Sequence, residues 1–426
     1  MDLRDIQYRS KHKMLSLRSI LIWCFSLWPL FWSFWVCLKV TTDIFTSFPT
    51  VVLIVMTLAS FSLKPKIKMK EVFFWAFFIL AISYSGVRGR RVTALLDIPV
   101  ILCGFLFCLS QFRHEIDTDI VFRCLFACGL FVSITVLLDA STYFIRTALL
   151  PIYSDSARTI VARRSGVVTG GILPYTATAG CFIFSGFGAY IVSVKRDTRK
   201  YNRLVLFLFI SAMIIIRKRG FILDIAVTAF VIWICGWRFE SGFRANLNRQ
   251  IRTAAVIIAA AMVAVIVYIA VPTLREAVDS LFQKFSSDDE TFSGRTTLYA
   301  LAYRLFRTNP VWGIGWGAFR AQTTGVYSRF STSTYETHNV YLQLLCETGI
   351  VGLTAFLLAT GSTLYMAIRR YRDKLKSGVK DKRFYSLRLG LYLQLFFLAY
   401  CMSGNPLYDY NFLITYYIGV LLTIPV

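Results

Sequence analysis

The sequence predicts an all-α, polytopic integral membrane protein with about twelve transmembrane helices and one long extracytoplasmic loop. Hydrophobic residues make up 56% of the chain, aromatic residues make up 16%, and the mean hydropathy is +0.59. The stretches 20–36, 204–216 and 254–271 are apolar on every side of a helix, whereas a helix of a soluble domain keeps a polar face. Lipid is the simplest surrounding for such helices.

The charged clusters divide the chain into the predicted spans, given that roughly 20 apolar residues cross a bilayer core. The span at 203–216 is short and passes almost directly into the next through Arg217-Lys218-Arg219, so this hairpin must turn tightly within the protein. In order, the spans are 19–37, 44–63, 71–86, 93–110, 119–138, 170–194, 203–216, 220–237, 253–271, 343–368, 386–402 and 411–426. They form a single membrane domain, 1–426, in which the polar segment 272–342 connects the ninth and tenth spans.

The positions of lysine and arginine set the expected orientation, because cytoplasmic loops carry an excess of both. With the N-terminus inside, most of the 47 basic residues are cytoplasmic, in the segments 1–18, 64–70, 113–123, 195–203, 238–252 and 369–388. Both termini are then cytoplasmic and 272–342 is extracytoplasmic. The first apolar run is too long for a signal peptide and lacks a small-residue cleavage site, so the first helix is expected to stay as an anchor.

The net charge of +24 raises the question of a polyanionic partner. Nucleic acid is not expected, because the inner positive charges lie in short loops, where they set topology and meet anionic lipid headgroups. On the outer side arginine predominates, and a guanidinium binds phosphate or carboxylate through two hydrogen bonds, which suits a lipid diphosphate. Surface solvation or a salt bridge is the alternative for any single arginine. Arg219 stands apart, because a charge buried at the mouth of a helix hairpin is costly without a counter-anion.

No cofactor or metal site is predicted. The ten cysteines lie in or at the ends of apolar spans, without CxxC pairs or metal-ligand spacing. His12 and His114 are expected in cytoplasmic loops, and neither a second histidine nor a carboxylate cluster with metal spacing accompanies His338. A hydrolase triad is likewise not expected.

His338 is the histidine to which the sequence assigns chemistry. It ends the polar segment directly before an apolar helix, and Asn339, Tyr341, Gln343 and Glu347 follow at spacings that can share a helical face. A neutral imidazole there could take a proton from a sugar hydroxyl near pH 7. A helix-capping or structural histidine is the alternative, and both interpretations stay open at this point.

Glycines and aromatic residues fill the middle of the polar segment. Gly313, Gly315 and Gly317 follow no strand, so turn formation and close backbone approach are favoured over nucleotide binding. Six aromatic residues could stack on sugars, but a position at the membrane interface is favoured; they are Trp312, Trp316, Phe319, Tyr327, Phe330 and Tyr335.

Four motifs in the polar segment and the start of the next span carry a family resemblance. They are Gly294-Arg295-Thr-Thr-Leu-Tyr299, Asn309-Pro310 through Gly313-Ile-Gly315-Trp316, His338-Asn339-Val-Tyr341-Leu-Gln343 and Glu347-Thr-Gly349-Ile-Val-Gly352. In order and spacing they resemble the signature of the O-antigen ligase and polysaccharide polymerase superfamily. Lys218-Arg219-Gly220 is similar to the arginine motif of these proteins, and Arg164-Ser165-Gly166 lies where the family places another arginine region. The motifs cover about a third of the chain.

The resemblance implies a GT-C-like membrane glycosyltransferase in the bacterial cytoplasmic membrane, with 272–342 as its extracytoplasmic catalytic loop. It would transfer a glycan from undecaprenyl diphosphate to an acceptor hydroxyl, with inversion and without a metal. His338 would be the base or orienting group, while Arg219 and Arg295 would stabilise the leaving diphosphate. The residues assigned to substrate binding are Arg163, Arg164, Lys218, Asn339, Tyr341 and Asp409, although Asp409 is equally well read as a solvated loop residue.

The acceptor separates the alternative functions. A second lipid-linked repeat unit would make the protein a polymerase of capsule, exopolysaccharide or O-antigen, with room for a protein partner that regulates chain length. A lipid A core sugar would make it an O-antigen ligase. The Lys-Arg-Gly motif and the His-Asn-Val-Tyr-Leu-Gln run favour the polymerase. A lipid-linked glycan flippase or transporter ranks lower, because no internal repeat is present, and a scaffold protein ranks lowest.

Overall fold

The computed structural model describes residues 16–39, 47–62, 69–89, 97–111, 117–162, 168–197, 202–237, 290–324 and 335–424. Within these ranges the predicted all-α class is confirmed, and the only β-type pairing is an isolated antiparallel bridge between Leu38 and Tyr153. The helices are α1 (Leu17–Trp35), α2 (Phe48–Phe61), α3 (Met69–Arg88), α4 (Asp97–Ser110), α5 (Thr118–Thr142), α6 (Phe144–Leu149), α7 (Asp155–Ala162), α8 (Thr176–Asp197), α9 (Arg203–Ile215), α10 (Arg219–Trp237), α11 (Glu290–Thr308), α12 (Phe319–Gln322), α13 (Val340–Lys376), α14 (Lys382–Tyr400) and α15 (Tyr410–Thr423).

Each predicted span except 253–271, which lies outside the described residues, coincides with one of these helices. Four described helices are long and apolar enough to cross a membrane: α1, α5, residues 176–193 of α8, and α13. Six more are apolar but shorter, namely α2, α4, α9, α15, residues 73–88 of α3 and residues 220–232 of α10. The chain therefore has the composition of a membrane protein, and the number twelve and the sidedness of the loops stay predictions.

The last helix, α15, lies at the centre of the bundle. Every residue from Asn411 to Thr423 is buried, and α1, α4, α8, α13 and α14 surround it. Glycines permit this close packing: a Cβ on Gly104 would lie 2.5 Å from the Tyr417 ring, and one on Gly390 would lie 2.6 Å from the Gly419 carbonyl oxygen. Apolar residues on all sides of α15 therefore meet protein, not lipid.

The tight hairpin predicted between α9 and α10 is confirmed. Helix α9 ends at Ile215, α10 begins at Arg219, and Arg217 adopts a left-handed conformation with φ of 48°. Below this turn the two helices take different partners, because α9 packs on α5 and α8 whereas α10 packs on α14. The turn thus presents Lys218 and the first residue of α10 at one end of the bundle.

The connection from α5 to α8 contains structure that the sequence did not predict. Asp139 is fully buried near the end of α5, where it accepts hydrogen bonds from Nε of Arg146 at 2.9 Å and from the Thr169 hydroxyl at 2.5 Å. Arg146 belongs to the short helix α6, and the short helix α7 lies between it and Thr169. The ion pair with Arg146 ties the start of the connection to α5, and the hydrogen bond from Thr169 ties its far end.

Helix α13 is broken near its start, at Gly349, where φ is +67° and ψ is −166°. Such a conformation is available essentially only to glycine, and it interrupts the helical hydrogen bonds. The predicted span, 343–368, is accordingly part of a longer helix that begins at Val340, contains a break about two turns beyond the polar segment, and ends at Lys376.

Candidate functional site

The predicted site residues come from four separate parts of the fold. His338, Asn339 and Tyr341 surround the start of α13, and Lys218 lies in the α9–α10 turn. Arg295 is on α11, and Asp409 immediately precedes α15. Arg163, Arg164 and the side chain of Arg219 lie outside the described part of the chain, although the backbone of Arg219 begins α10.

The backbone on both sides of His338 is firmly held. Thr337 is buried; its hydroxyl donates to the Asn339 carbonyl at 2.7 Å and accepts from the Asn339 N–H at 3.1 Å. The Asn339 side chain accepts from the Leu342 N–H at 3.1 Å, so Asn339 and not His338 caps α13. His338 itself has φ of 57° and an exposed side chain. A left-handed conformation in a residue other than glycine is costly and persists where surrounding contacts impose it.

Two positive charges converge on the His338 ring from other elements. Loss of hydration lowers the pKa of His338 most, the charges of Arg295 and Lys218 lower it further, and together they bring it from 6.5 to about 4. The ring is thus accessible at the mouth of the site but crowded enough by protein to lose part of its hydration. At neutral pH it is an uncharged imidazole with a free acceptor nitrogen beside two cations.

Carboxyl groups line the other side of the same mouth. Burial, and then the negative charge of Glu336, raise the pKa of Asp409 to about 7, while the charges of Lys218 and Arg320 act in the opposite direction. Glu336 pairs with Arg320 at 3.8 Å and accepts from the Asn405 side-chain amide at 2.7 Å. The charge of Lys218 lowers the pKa of both His338 and Asp409, so the imidazole and this carboxyl group are exposed to the field of the same cation.

The segment between α11 and α12, residues 309–318, is inserted into the break of α13. The Ile314 N–H donates to the Cys346 carbonyl at 3.0 Å, and the Gly315 N–H donates to the Glu347 carbonyl at 2.9 Å. In return, the Ile350 N–H donates to the Pro310 carbonyl at 2.9 Å. Backbone groups that the break frees in α13 are thereby satisfied by the inserted segment.

Glycine is required where these backbones touch. A Cβ on Gly313 would lie 2.3 Å from the Glu347 backbone, and one on Gly349 would lie 2.2 Å from the Val311 carbonyl oxygen. Gly315, with φ of +116°, faces Gly89 at the end of α3, where a Cβ would lie 2.4 Å from the Gly89 Cα. Turn formation and close backbone approach, expected from the sequence, are confirmed.

One protein-family model matches a part of the chain that includes several of the predicted site residues. The family model described as O-antigen ligase matches residues 204–357. Residues 204–357 are thus similar to the O-antigen ligase family, and this stretch is called the O-antigen ligase domain below. The match confirms the resemblance to the O-antigen ligase and polymerase superfamily and includes Lys218, Arg219, Arg295 and His338, whereas Asp409 lies beyond it. The comparison with curated proteins gave no match.

Two predicted binding residues of the O-antigen ligase domain have polar contacts within the protein. Asn339 caps α13, as described above, and the Tyr341 hydroxyl donates to the Leu398 carbonyl of α14 at 3.0 Å. These contacts fix the start of α13 against its neighbours. A role of either residue in substrate binding stays a prediction.

The favoured interface position is wrong for two of the aromatic residues of the domain. Trp316 and Phe319 are fully buried in protein, and Trp316 stacks on Tyr408 with a centroid separation of 4.7 Å. The reason is that the inserted segment turns inward at Gly315 and Gly317, which an aromatic pattern does not indicate. Trp312 stays 40% exposed against Tyr84, while Tyr327 and Phe330 lie outside the described residues.

Sequence reasoning did not single out Asp97 or Glu336 and assigned no role to Glu347, three acidic residues that lie in the hydrogen-bond network around the candidate site. Each accepts hydrogen bonds from residues distant in sequence: Asp97 from Trp316 and Tyr410, Glu336 from Asn405, and Glu347 from Gly317, Phe319 and Tyr408. The sequence signal that could have pointed to these residues is the position of each carboxylate next to apolar residues, where an ionisable group is costly. Within the described ranges, no group of three or more His, Cys, Asp or Glu residues is arranged to hold a metal ion.

Proposed function

We propose that the protein is a polysaccharide polymerase, which transfers a glycan from undecaprenyl diphosphate to a hydroxyl of an acceptor lipid-linked repeat unit. The observation that carries the proposal is the convergence of Lys218 and Arg295 on the neutral imidazole of His338. All three belong to the O-antigen ligase domain, whose family supports glycan transfer in a membrane. The site would face the extracytoplasmic side, where lipid-linked repeat units are presented.

The proposed reaction divides the work between the imidazole and the cations. The acceptor hydroxyl oxygen attacks the anomeric carbon while its proton passes to His338. The bond from the anomeric carbon to the diphosphate oxygen breaks, and its electron pair stays on the diphosphate. Lys218, Arg219 and Arg295 stabilise the charge that develops there, which is the role a divalent cation fills in other transferases. Attack opposite the leaving group inverts the anomeric centre.

Donor binding would also prepare His338 as a base. Without substrate, the neighbouring cations disfavour an imidazolium, because like charges repel. A bound diphosphate offsets the charges of Lys218 and Arg295, so the imidazole becomes more basic when the leaving group is in place. Proton transfer is thereby coupled to the presence of the donor.

The pH dependence tests this coupling. Activity requires neutral His338, so kcat/KM, which reports the free enzyme, should be full above about pH 4 and fall as pH drops through that value. The acidic limb of kcat, which reports the enzyme–substrate complex, should lie at higher pH. Rates at saturating and limiting donor between pH 3.5 and 8 measure both. A kcat/KM limb near 6.5 would contradict the proposed influence of the two cations.

Replacement of Arg295 tests the diphosphate role. Arg295→Gln should lower kcat by about 10²- to 10³-fold, as expected for loss of one group that stabilises a developing oxyanion. Arg304→Gln is the matched control, because Arg304 is also exposed on α11 and acts on neither His338 nor Asp409 in the described contacts. The measurement is initial-rate transfer in proteoliposomes. Equal activity of the two variants would remove Arg295 from the mechanism.

The family description favours a second candidate, an O-antigen ligase that uses a lipid A core sugar as acceptor. A reconstituted assay without divalent cations separates the candidates. Purified protein receives undecaprenyl diphosphate-linked repeat units, and product size is read on a gel against the His338→Ala variant. A ladder of lipid-linked glycans from wild type alone supports the polymerase. Transfer only after lipid A core is added supports the ligase, and substrate movement across the bilayer without a new glycosidic bond would indicate a flippase.

A further inference from the structure

A buried carboxylate, that of Glu347, lies beside the break of α13 and accepts hydrogen bonds from three separate segments of the chain. Glu347 is fully buried, and four groups donate to its two oxygens. Oε2 accepts from the Gly317 N–H at 2.9 Å and from the Tyr408 hydroxyl at 2.7 Å. Oε1 accepts from the Phe319 N–H at 3.1 Å and from the Gln343 amide at 3.4 Å. Only a carboxylate offers two oxygens that both accept from backbone N–H groups.

A first chain of contacts, made of hydrogen bonds, connects Glu347 to the backbone next to His338. The Gln343 side chain donates to Glu347, and its own oxygen accepts from the backbone N–H and the hydroxyl of Thr337 at 3.3 and 3.2 Å. Thr337 directly precedes His338 and holds the backbone on its far side as well. The left-handed conformation of His338 is therefore imposed through a chain of hydrogen bonds that begins at Glu347.

A second path leads to Arg295. Phe319, whose N–H is bound by Glu347, packs in one cluster with Leu298 and Leu301 of α11 and with Cys346, the residue before Glu347. Leu298 lies one helical turn after Arg295. The distance between the Arg295 guanidinium and the His338 ring therefore depends on how α11 packs against Phe319 and Cys346.

A third path leads to Asp409. Tyr408 donates to Glu347 and stacks on Trp316, while Tyr410, on the other side of Asp409, donates to Asp97. The Trp316 indole N–H also donates to Asp97, at 3.1 Å. Two carboxylates, the buried Glu347 and the partly buried Asp97, thus hold the two tyrosines between which Asp409 lies.

We propose that Glu347 is a positioning residue, which sets the separation of His338, Arg295 and Asp409 by holding Gln343, Phe319 and Tyr408 at one point. The expected effect of Glu347 on the transfer rate rests on the proposed function, whereas its expected effect on the positions of His338, Arg295 and Asp409 does not. Glu347 touches no reacting atom. Its role is to keep the imidazole within reach of the cations in the unbound protein and so to preorganise the site.

The test replaces Glu347 and follows His338 directly. Glu347→Gln is isosteric, but its amide must face a backbone N–H that the carboxylate accepted, so one loop should move. The titration of His338 is measured as the pH dependence of its modification by diethyl pyrocarbonate, with His12 and His114 distinguished by peptide mass. The charged groups that act on His338 are Arg295 and Lys218, and Glu336 lies two residues before it in sequence, so movement of α11, the α9–α10 turn or the segment before α13 changes the midpoint.

We expect the His338 midpoint to rise from about 4 in the wild type toward the ordinary value of 6.5 in Glu347→Gln. The kcat of transfer should fall on the order of 10²-fold, with a smaller change in KM. Misplacement of the imidazole and the cations weakens interactions made in the transition state more than it weakens substrate binding. An unchanged midpoint in a folded Glu347→Gln protein would overturn the proposal. The titration needs no substrate, so a wild type without transfer activity would refute the proposed function and leave this result intact.

If Glu347→Gln does not fold, two milder substitutions test the same proposal. Tyr408→Phe removes one 2.7 Å hydrogen bond to Glu347 and keeps the backbone contacts. Tyr416→Phe removes a 2.7 Å hydrogen bond to Thr363, also buried but between α13 and α15, and is the matched control. We expect Tyr408→Phe to raise the His338 midpoint and Tyr416→Phe to leave it unchanged. Equal midpoints in the two variants, or a rise only in the control, would overturn the positioning role.

Discussion

Replacing His338 by alanine is expected to abolish most of the transfer activity, lowering kcat by about 10²- to 10⁴-fold, the range that general base catalysis contributes. The imidazole is neutral at physiological pH because partial loss of hydration, and then the charges of Arg295 and Lys218, lower its pKa to about 4. It therefore offers an acceptor nitrogen that alanine lacks. The measurement is single-turnover transfer at saturating donor, with protein amount in the membrane determined in parallel.

The backbone of His338 requires a second variant. Because φ is 57°, alanine at this position combines loss of the imidazole with the cost of a left-handed conformation. Asparagine tolerates that conformation better, so His338→Asn should unfold at a temperature closer to that of the wild type and be as inactive as His338→Ala. His12→Ala and His114→Ala should remain active. Wild-type product lengths from both His338 variants would refute the catalytic assignment.

Gly349→Ala is expected to have the largest effect on stability, a loss of more than about 3 kcal/mol in the free energy of unfolding. Its φ and ψ of +67° and −166° belong to a region that only glycine occupies readily, and a Cβ would lie 2.2 Å from the Val311 carbonyl oxygen. Neither helix segment can shift to relieve the clash without breaking the hydrogen bonds to residues 309–318. Thermal unfolding in detergent measures the effect.

Two other glycines separate the contributions to that loss. Gly378, just after α13, has φ of +71° and nothing within 4 Å of a Cβ, so Gly378→Ala should cost only about 1–2 kcal/mol of backbone strain. Gly361, within α13, has open space and helical geometry, so Gly361→Ala should be neutral or stabilising by up to about 1 kcal/mol. If Gly349→Ala unfolded at the same temperature as Gly361→Ala, the insertion of residues 309–318 into α13 would not contribute to stability.

Local sequence was sufficient where one interaction dominates. Long apolar runs predicted eleven of the fifteen described helices, because transfer of apolar side chains out of water outweighs other terms along such stretches. The short charged link at 217–219 predicted the tight turn before α10 for the same reason. The glycines of 313–317 predicted close backbone contact, but the partner of that contact, the break at Gly349, had no signal of comparable strength.

The site was predictable as a set of residues and not as an arrangement. Lys218, Arg295 and His338 belong to motifs that the family resemblance singles out. The charges of Lys218 and Arg295 act on the His338 imidazole only because α11 packs on α13 and the α9–α10 turn lies nearby. Glu347 was visible as part of a motif without a role. Its four donors come from segments up to 61 residues away in sequence, a separation that no local pattern encodes.

By itself the sequence predicted a helical membrane protein that resembles a glycan-transferring superfamily, and it singled out the polar segment 272–342 as the candidate for the chemistry. Tertiary structure alone decided that α15 is enclosed by protein instead of lipid, that α13 is broken to receive residues 309–318, and that a buried carboxylate joins the three sides of the site. The physical reason is that apolar surface is equally satisfied by lipid or by protein, so composition cannot choose between them. Backbone and carboxylate hydrogen bonds, in contrast, need partners at exact positions, which only the packed helices supply.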